Sequence, residues 1–133
     1  EYQIGGANMS IGNINISDSE MEIMAVLWNA KEPITSVEIG EAVERHGWKK
    51  TTIATFLTRL VEKGAISAEK KGKLYYYTPL IPVEEYRKSK TDTLINNFYH
   101  GSVKEFAVAL FENKKLSEED IAELRAIFED KEV

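Results

Sequence analysis

Residues 48–78 read WKKTTIATFLTRLVEKGAISAEKKGKLYYYT, a helix with one apolar face running into a basic hairpin, and this stretch decides the fold. Ile53, Phe56, Leu57, Leu60 and Val61 recur at the i, i+3, i+4, i+7, i+8 spacing of a core-facing helical stripe. That leaves Thr51, Thr52, Thr55, Thr58 and Arg59 on or near the other face, where small hydroxyls and one guanidinium suit close approach to a groove. Gly64 is expected to stop the helix in a left-handed conformation. Two strand-like runs follow, separated by Lys70-Lys71-Gly72-Lys73, a cationic turn that would protrude.

Upstream, Ser17-x-x-Glu20 and Thr35-x-x-Glu38 are two capping boxes, in which each side chain satisfies the other's free backbone donor. The first opens a helix to about Asn29 with Met21, Met24, Leu27 and Trp28 on one side. Lys31-Glu32-Pro33 interrupts the chain, and the second box opens a helix through Val43 to about Arg45. Gly47 breaks the chain before the third helix. Three helices joined by short turns, the last followed by a hairpin, make a winged helix-turn-helix over residues 17–81. Residues 1–16 are expected to be a disordered N-terminal segment, with Met9 as a candidate native start and EYQIGGAN before it as the remnant of an expression tag.

Downstream of Pro79 and Pro82 the composition changes. Val83 to Tyr99 reads as a helix, and Ser102 to Glu112 as another with Val103, Phe106, Ala107, Leu110 and Phe111 on one side. Ser117 caps a last helix carrying Ile121, Leu124, Ile127 and Phe128. Chains near this size bury only about 60% of the surface they expose when unfolded, so residues 82–133 cannot cover this much apolar area alone. A second copy is the natural cover, with Phe98, Tyr99, Phe106, Leu110, Phe111, Ile121, Leu124 and Phe128 as the dimerisation residues. The alternative is that these helices fold back on the first domain in a monomer. The fold class expected is therefore mainly α with a small β-hairpin: a winged helix-turn-helix domain followed by a C-terminal helical dimerisation region.

The net charge of −5 over 133 residues argues against a nucleic-acid partner only if the charge is spread evenly, and it is not. Arg45 to Tyr75 holds eight basic residues against Glu62 and Glu69, a local balance of +6, whereas from Thr91 onward five basic residues face ten acidic ones. In a winged helix the third helix enters the major groove with its N-terminal turns foremost, which makes Lys49, Lys50, Thr51, Thr52 and Thr55 the candidates nearest DNA. Lysines and threonines mostly hold phosphate oxygens, and Arg59 is assigned a phosphate from the later turns, the competing reading being a salt bridge to Glu62. Lys70, Lys71 and Lys73 on the wing would lie over the backbone or minor groove. Trp48 is read as packing at the start of the helix rather than stacking on a base.

At this point the chain resembles a known family, the penicillinase and methicillin-resistance repressors of the BlaI/MecI type, from Ile16 to about Glu129. The resemblance is carried by ISDSEMEIMAVLW, the Trp48 to Leu60 block with Thr52-Ile53, Thr55 and Arg59-Leu60, and the Lys63-Gly64-Ala65 junction. It continues in Tyr77-Thr78-Pro79 and in Asn97-Phe98-Tyr99 before Gly101. It implies a homodimeric winged-helix repressor on palindromic double-stranded operator DNA, blocking a resistance operon that often includes its own gene. It also implies release by proteolytic cleavage in the dimerisation region, set off by a membrane-bound β-lactam sensor protease. Family members typically carry Asn-Phe at the cleaved bond, and the matching pair here is Ala109-Leu110. Thr51 and Ala54 stand where the best-known members carry lysine and glutamine, so the base preference is expected to differ.

Other function classes recede. Without cysteine there is no disulfide framework, no thiolate metal cluster and no cysteine nucleophile, and His46 and His100 read as loop residues with no partner at ligand or triad spacing. No metal and no cofactor is expected. Glu118, Glu119 and Asp120 complement a helix dipole in its first turn and need no acid–base role, so the protein is read as not an enzyme. No apolar run reaches the roughly 20 residues that cross a bilayer, which points to the cytoplasm. Two rival functions are a winged-helix protein-interaction module without specific DNA binding, and a repressor released by a small ligand held between the wing domain and the C-terminal helices, with Tyr75, Tyr86 or Phe98 as pocket walls.

Overall fold

The computed structural model describes residues 3–4, 7–8, 14–113 and 115–130. The expected disorder of residues 1–2, 5–6 and 9–13, and Met9 as a start, lie outside that set. Two short strands, β1 (Gln3–Ile4) and β2 (Ala7–Asn8), pair antiparallel. The chain divides into two compact units, Glu1–Lys90 and Thr91–Val133.

The first unit builds its helices where the caps direct. Ser17 Oγ accepts from the Glu20 N–H at 3.2 Å while Glu20 Oε1 accepts from the Ser17 N–H at 3.0 Å, and α1 (Asp18–Asn29) starts there. Thr35 performs the same exchange with Glu38 and opens α2 (Ser36–Ala42). This α-helix stops at Ala42, short of the expected Arg45, and residues 44–46 tighten into a 3-10 turn closed by Gly47 at φ 66°. The third helix, α3 (Lys50–Glu62), ends as its glycine required. Gly64 takes φ 80°, its N–H reaches the Val61 carbonyl at 3.0 Å, and the Ala65 N–H reaches Leu60 at 2.9 Å. Those two bonds form the Schellman motif that satisfies the last carbonyls.

The wing consists of β4 (Ile66–Lys71) and β5 (Leu74–Pro79), paired antiparallel from Ile66↔Pro79 to Lys71↔Leu74. Lys70 and Lys71 therefore belong to β4, and the turn is only Gly72-Lys73, with Gly72 at φ 67°. The sequence reading also missed a third strand. β3 (Ile34–Thr35) pairs with β5 through Ile34↔Tyr77 and Thr35↔Tyr76, so the sheet order is β3-β5-β4. A two-residue strand has no periodicity to read, and Thr35 doubles as the cap of α2.

The core gathers Ile23, Met24 and Leu27 of α1, Ile39 of α2, Ile53, Leu57 and Leu60 of α3, and Ile66 and Ile81. Two expectations are corrected here. Ile23 rather than Met21 lies deepest on α1, and Val61 is 39% exposed at the edge of the α3 stripe. Ile14 and Ile16 are core residues at 2% and 7% exposure, so the ordered fold begins before Ser17, because these isoleucines fill the same apolar cluster. On the other side of the boundary expected at residue 81, Tyr86 is buried, its ring 6.0 Å from that of Trp28, whose indole N–H donates to the Ile81 carbonyl at 2.8 Å. That packing carries the first unit beyond Pro82.

Thr35 is the joint between sheet and helix, 8% exposed and bonded on both sides. Thr35→Ala is expected to cost about 1–2 kcal/mol, and Thr35→Ser to restore most of it, because the cap bond is what is removed. Urea denaturation with an unchanged slope is the measurement; an alanine variant as stable as the parent would show the cap to be redundant.

α4 (Val83–Phe98) leads into the second unit, which contains α5 (Val103–Glu112) and α6 (Glu118–Asp130). His100 and Gly101, at φ 54° and 78°, form the turn before α5, which Ser102 caps. Ser117 caps α6 through the Asp120 N–H at 3.0 Å, and the Asp120 carboxylate returns a bond to the Ser117 N–H at 3.2 Å. The acidic first turn is thus a structural device. Much of this unit's apolar surface is uncovered, with Phe98 and Phe128 both 71% exposed and Phe111 59%. Tyr86 is 6% exposed and belongs to the core cluster of the first unit.

Candidate nucleic-acid interface

Burial of Ile53, Leu57 and Leu60 fixes the rotation of α3 and turns the opposite side to solvent. Thr51, Thr55, Thr58 and Arg59 are exposed there, and Thr52 is half-buried beside them. The Thr55 hydroxyl donates to the Thr51 carbonyl at 3.0 Å, which uses its proton and leaves its oxygen as an acceptor. Lys49 and Lys50 are exposed at the helix start. Thr58, which shares this stripe, belongs with the candidates and was signalled by its i+3 spacing from Thr55.

The start of α3 differs from those of α1, α2, α5 and α6, each of which has a side-chain cap. Lys49 in the cap position offers no acceptor, and the first turn of α3 has no acidic residue. The free N–H groups and the positive end of the helix dipole are left for an external anion, and the two lysines add charge to the same place.

The eight basic residues of the +6 stretch separate by what they touch. Arg45 is tied to Glu22 at 2.6 Å, and Lys63 to Glu20 at 2.5 Å. Lys49, Lys50, Arg59, Lys70 and Lys73 make no ion pair among the described residues, and Lys71 has only a 3.9 Å approach to Glu69. The Arg59–Glu62 salt bridge is not formed. These six cations are the ones expected to meet DNA. On the wing they do not share a face: Lys70 lies over the ring of Tyr75 at 5.9 Å, and Lys71 over Tyr76 at 5.8 Å. Tyr75, with Tyr77 and Ala68, lines a hollow against Leu57, Thr58 and Val61 of α3, which places Lys70 on the α3 side. Lys73 stands at the turn. Burial, with a smaller contribution from neighbouring Tyr75, raises the Tyr77 hydroxyl above the usual phenol range, so it stays protonated.

His46 is not a free loop residue. Its Nε2 lies 3.3 Å from Glu22 Oε1, and its ring stacks on Trp48 with centroids 4.3 Å apart and planes 10° off parallel. Trp48 in turn sets its edge against Phe56 at 5.0 Å. The indole is thereby committed to packing at the start of α3. Nothing in the sequence near His46 signalled this, since Glu22 is 24 positions away.

Of the candidate dimerisation residues, Phe98, Phe111, Leu124 and Phe128 are exposed, while Tyr99, Phe106, Leu110 and Ile121 are half-buried. Tyr99 and Phe106 meet edge to face at 5.4 Å. Ala107, Phe111, Leu116, Ile121, Leu124 and Phe128 line one open apolar hollow of about 660 Å³. Ala109 and Leu110 lie inside α5, both half-buried. No helix among the described residues is long and apolar enough to cross a membrane, and no three metal-binding side chains are gathered among them.

Comparison with known proteins gives a consistent result. A family model described as penicillinase repressor matches residues 16–130. The chain is 37% identical to the penicillinase repressor of Bacillus licheniformis over 115 residues, 86% of this chain and 90% of that one. It is 31% identical to the methicillin resistance regulatory protein MecI of Staphylococcus aureus strain N315 over 116 residues, covering 87% and 94% of the two chains. Among solved structures, the solution structure of the DNA binding domain of the repressor BlaI aligns with a TM-score of 0.50 and 38% identity. It covers 55% of this chain and 89% of that one.

Proposed function

The chain belongs to the penicillinase repressor family, and from that premise we propose that it is a transcriptional repressor, without catalytic activity, that represses a resistance operon by occupying its promoter DNA. The observation that carries the DNA reading is the uncapped start of α3 together with Lys49, Lys50 and Arg59, which make no ion pair among the described residues. Thr51, Thr52, Thr55 and Thr58 face the groove, Lys49, Lys50 and Arg59 hold phosphates beside it, and Lys70, Lys71 and Lys73 hold the backbone under the wing. The protein works in the cytoplasm, where its operator is.

It acts as a homodimer through the exposed apolar side chains of α5 and α6. Two-fold symmetry would place the reading helices about 34–36 Å apart or at a multiple of that, matching a palindromic operator. A membrane-bound sensor protease is the partner that the family resemblance implies for release. Ala109-Leu110 replaces the expected Asn-Phe and lies within a helix, so cutting there requires α5 to unwind first.

Sequencing genomic fragments recovered on the purified protein at about 150 mM salt tests the whole reading. A short palindrome upstream of a few genes is expected, and failure to enrich any sequence would favour a protein-interaction module instead. Lys70→Ala with Lys73→Ala is expected to weaken binding to all sequences alike and to lower the salt slope by about 0.9 for each phosphate that a lysine no longer neutralises. An unchanged slope would remove the wing from the interface.

A further inference from the structure

A second concavity lies beside the reading helix. Between α2, α3 and β5 is a cleft of about 530 Å³ whose apolar lining includes Trp48, Ile53, Leu57 and Tyr77. Glu41 and Glu44 of α2 and the turn after it stand on one side, and Lys50 on the other. Both glutamates are exposed, and neither makes an ion pair among the described residues.

Gly40, inside α2, opens the cleft. Its backbone is helical, and an added Cβ would sit 3.6 Å from Ile53 Cδ1, an ordinary contact. Neither backbone conformation nor close packing calls for glycine here, and glycine opposes a helix more than any residue but proline. What its missing side chain does is leave apolar surface open. Val37, at 60% exposure on the lip, adds to that surface. The two carboxylates are equally out of place for DNA, since unpartnered negative charge next to a reading helix repels phosphate.

We propose that this cleft binds an organic cation bearing an aromatic ring, the ring against Trp48, Ile53 and Tyr77 and the ammonium between Glu41 and Glu44. An apolar floor with a few charged groups at one end is how small-molecule sites fix an amphiphile. Trp48 is already held by His46 and Phe56, so the wall is formed before a ligand arrives. Lys50 and Thr58 border the cleft and also belong to the DNA-facing set, which couples the two sites.

The test uses naphthylethylammonium on the full chain without DNA, followed by calorimetry and by the Trp48 indole N–H resonance. A dissociation constant below about 1 mM is expected. Naphthylethanol and naphthylpropionate should each bind at least about fivefold more weakly. Glu41→Gln with Glu44→Gln should erase the preference for the amine while keeping the alcohol, which shows the site still folded. Ala54→Leu, which fills the cleft from an exposed position of α3, should abolish binding of all three compounds. Equal affinity for amine and alcohol, an amine preference that survives the double glutamine change, or a silent Trp48 resonance would each overturn the site. With DNA present, saturating amine is expected to weaken operator binding by at least about fivefold. That step alone rests on the DNA reading. An amine that binds without affecting DNA overturns the coupling, while absence of DNA binding by the free protein overturns the reading of α3.

Discussion

Aspartate at both Leu124 and Phe128 is expected to convert the proposed dimer to monomers and to weaken binding to a full operator by about 10²–10⁴-fold. The two side chains are one helical turn apart on α6, 39% and 71% exposed, and both line the apolar hollow with Phe111 and Ile121. In the proposed dimer this apolar surface is what the second copy covers, as large exposed apolar patches mark interaction sites. A carboxylate at the centre of that interface would be desolvated without a partner, which destabilises association strongly. The fall in DNA binding has a separate origin: with two reading heads linked, the second half-site binds at a high effective concentration, and a monomer forfeits that gain. Affinity for an isolated half-site should therefore hardly change. Sedimentation equilibrium together with half-site and full-site titrations distinguishes the cases. Variants that still sediment as dimers would mean that the interface lies elsewhere.

Lys63→Ala is expected to lower the stability of the first unit by about 3 kcal/mol, seen as a fall in Tm of more than about 10 °C. Glu20 is 2% exposed, and its Oε1 receives the Lys63 ammonium as well as the Ser17 N–H. The burial of Glu20 taken alone would raise its carboxyl, but the hydrogen bond from Lys63, those from Ser17 and the lysine's charge outweigh it, and the group is held below its ordinary range. Removing the ammonium leaves a buried carboxylate uncompensated. The low end of the range for such changes applies, because the Lys63 side chain is one-third exposed and water can follow. Glu20→Gln added to Lys63→Met should cost less than Lys63→Ala alone, since no charge is then stranded. The same pair sets an acid limit. A carboxylate whose folded pKa lies below its unfolded value contributes stability above the unfolded pKa, and that contribution is lost as pH falls through the folded value. Lys63→Ala should therefore flatten the acid side of the stability profile. A variant with parental stability at neutral pH would show the pair to be energetically neutral.

The Ser17-Glu20 box illustrates how far the sequence could be read. Its three-residue spacing announced the start of α1, and the cap formed as announced, but nothing local indicated that the same glutamate would also receive a lysine 43 positions away. The interface was legible to a similar depth. The apolar spacing of Ile53, Leu57 and Leu60 fixed which threonines face outward, and the basic residues were visible as a run. Which of those cations stay free was not visible, because Glu20 and Glu22 lie in α1, far from the residues they neutralise.

What the sequence determined by itself was therefore what is governed by a single turn of chain: the side-chain caps at Ser17, Thr35 and Ser117, the glycine stop after α3, the presence of a wing turn around Gly72, the amphipathic stripes and the uneven distribution of charge. These follow from hydrogen bonds and side-chain spacing over a few residues, and they sufficed for a winged helix with an apolar helical tail. Tertiary structure alone decided the pairing of β3 with β5, the place of Ile14 and Ile16 in the core, the His46–Trp48 stack and the cleft beside Gly40. Each joins segments far apart in the chain or depends on how whole elements pack. Whether such groups meet is settled by the cooperative filling of the core, which no local pattern encodes.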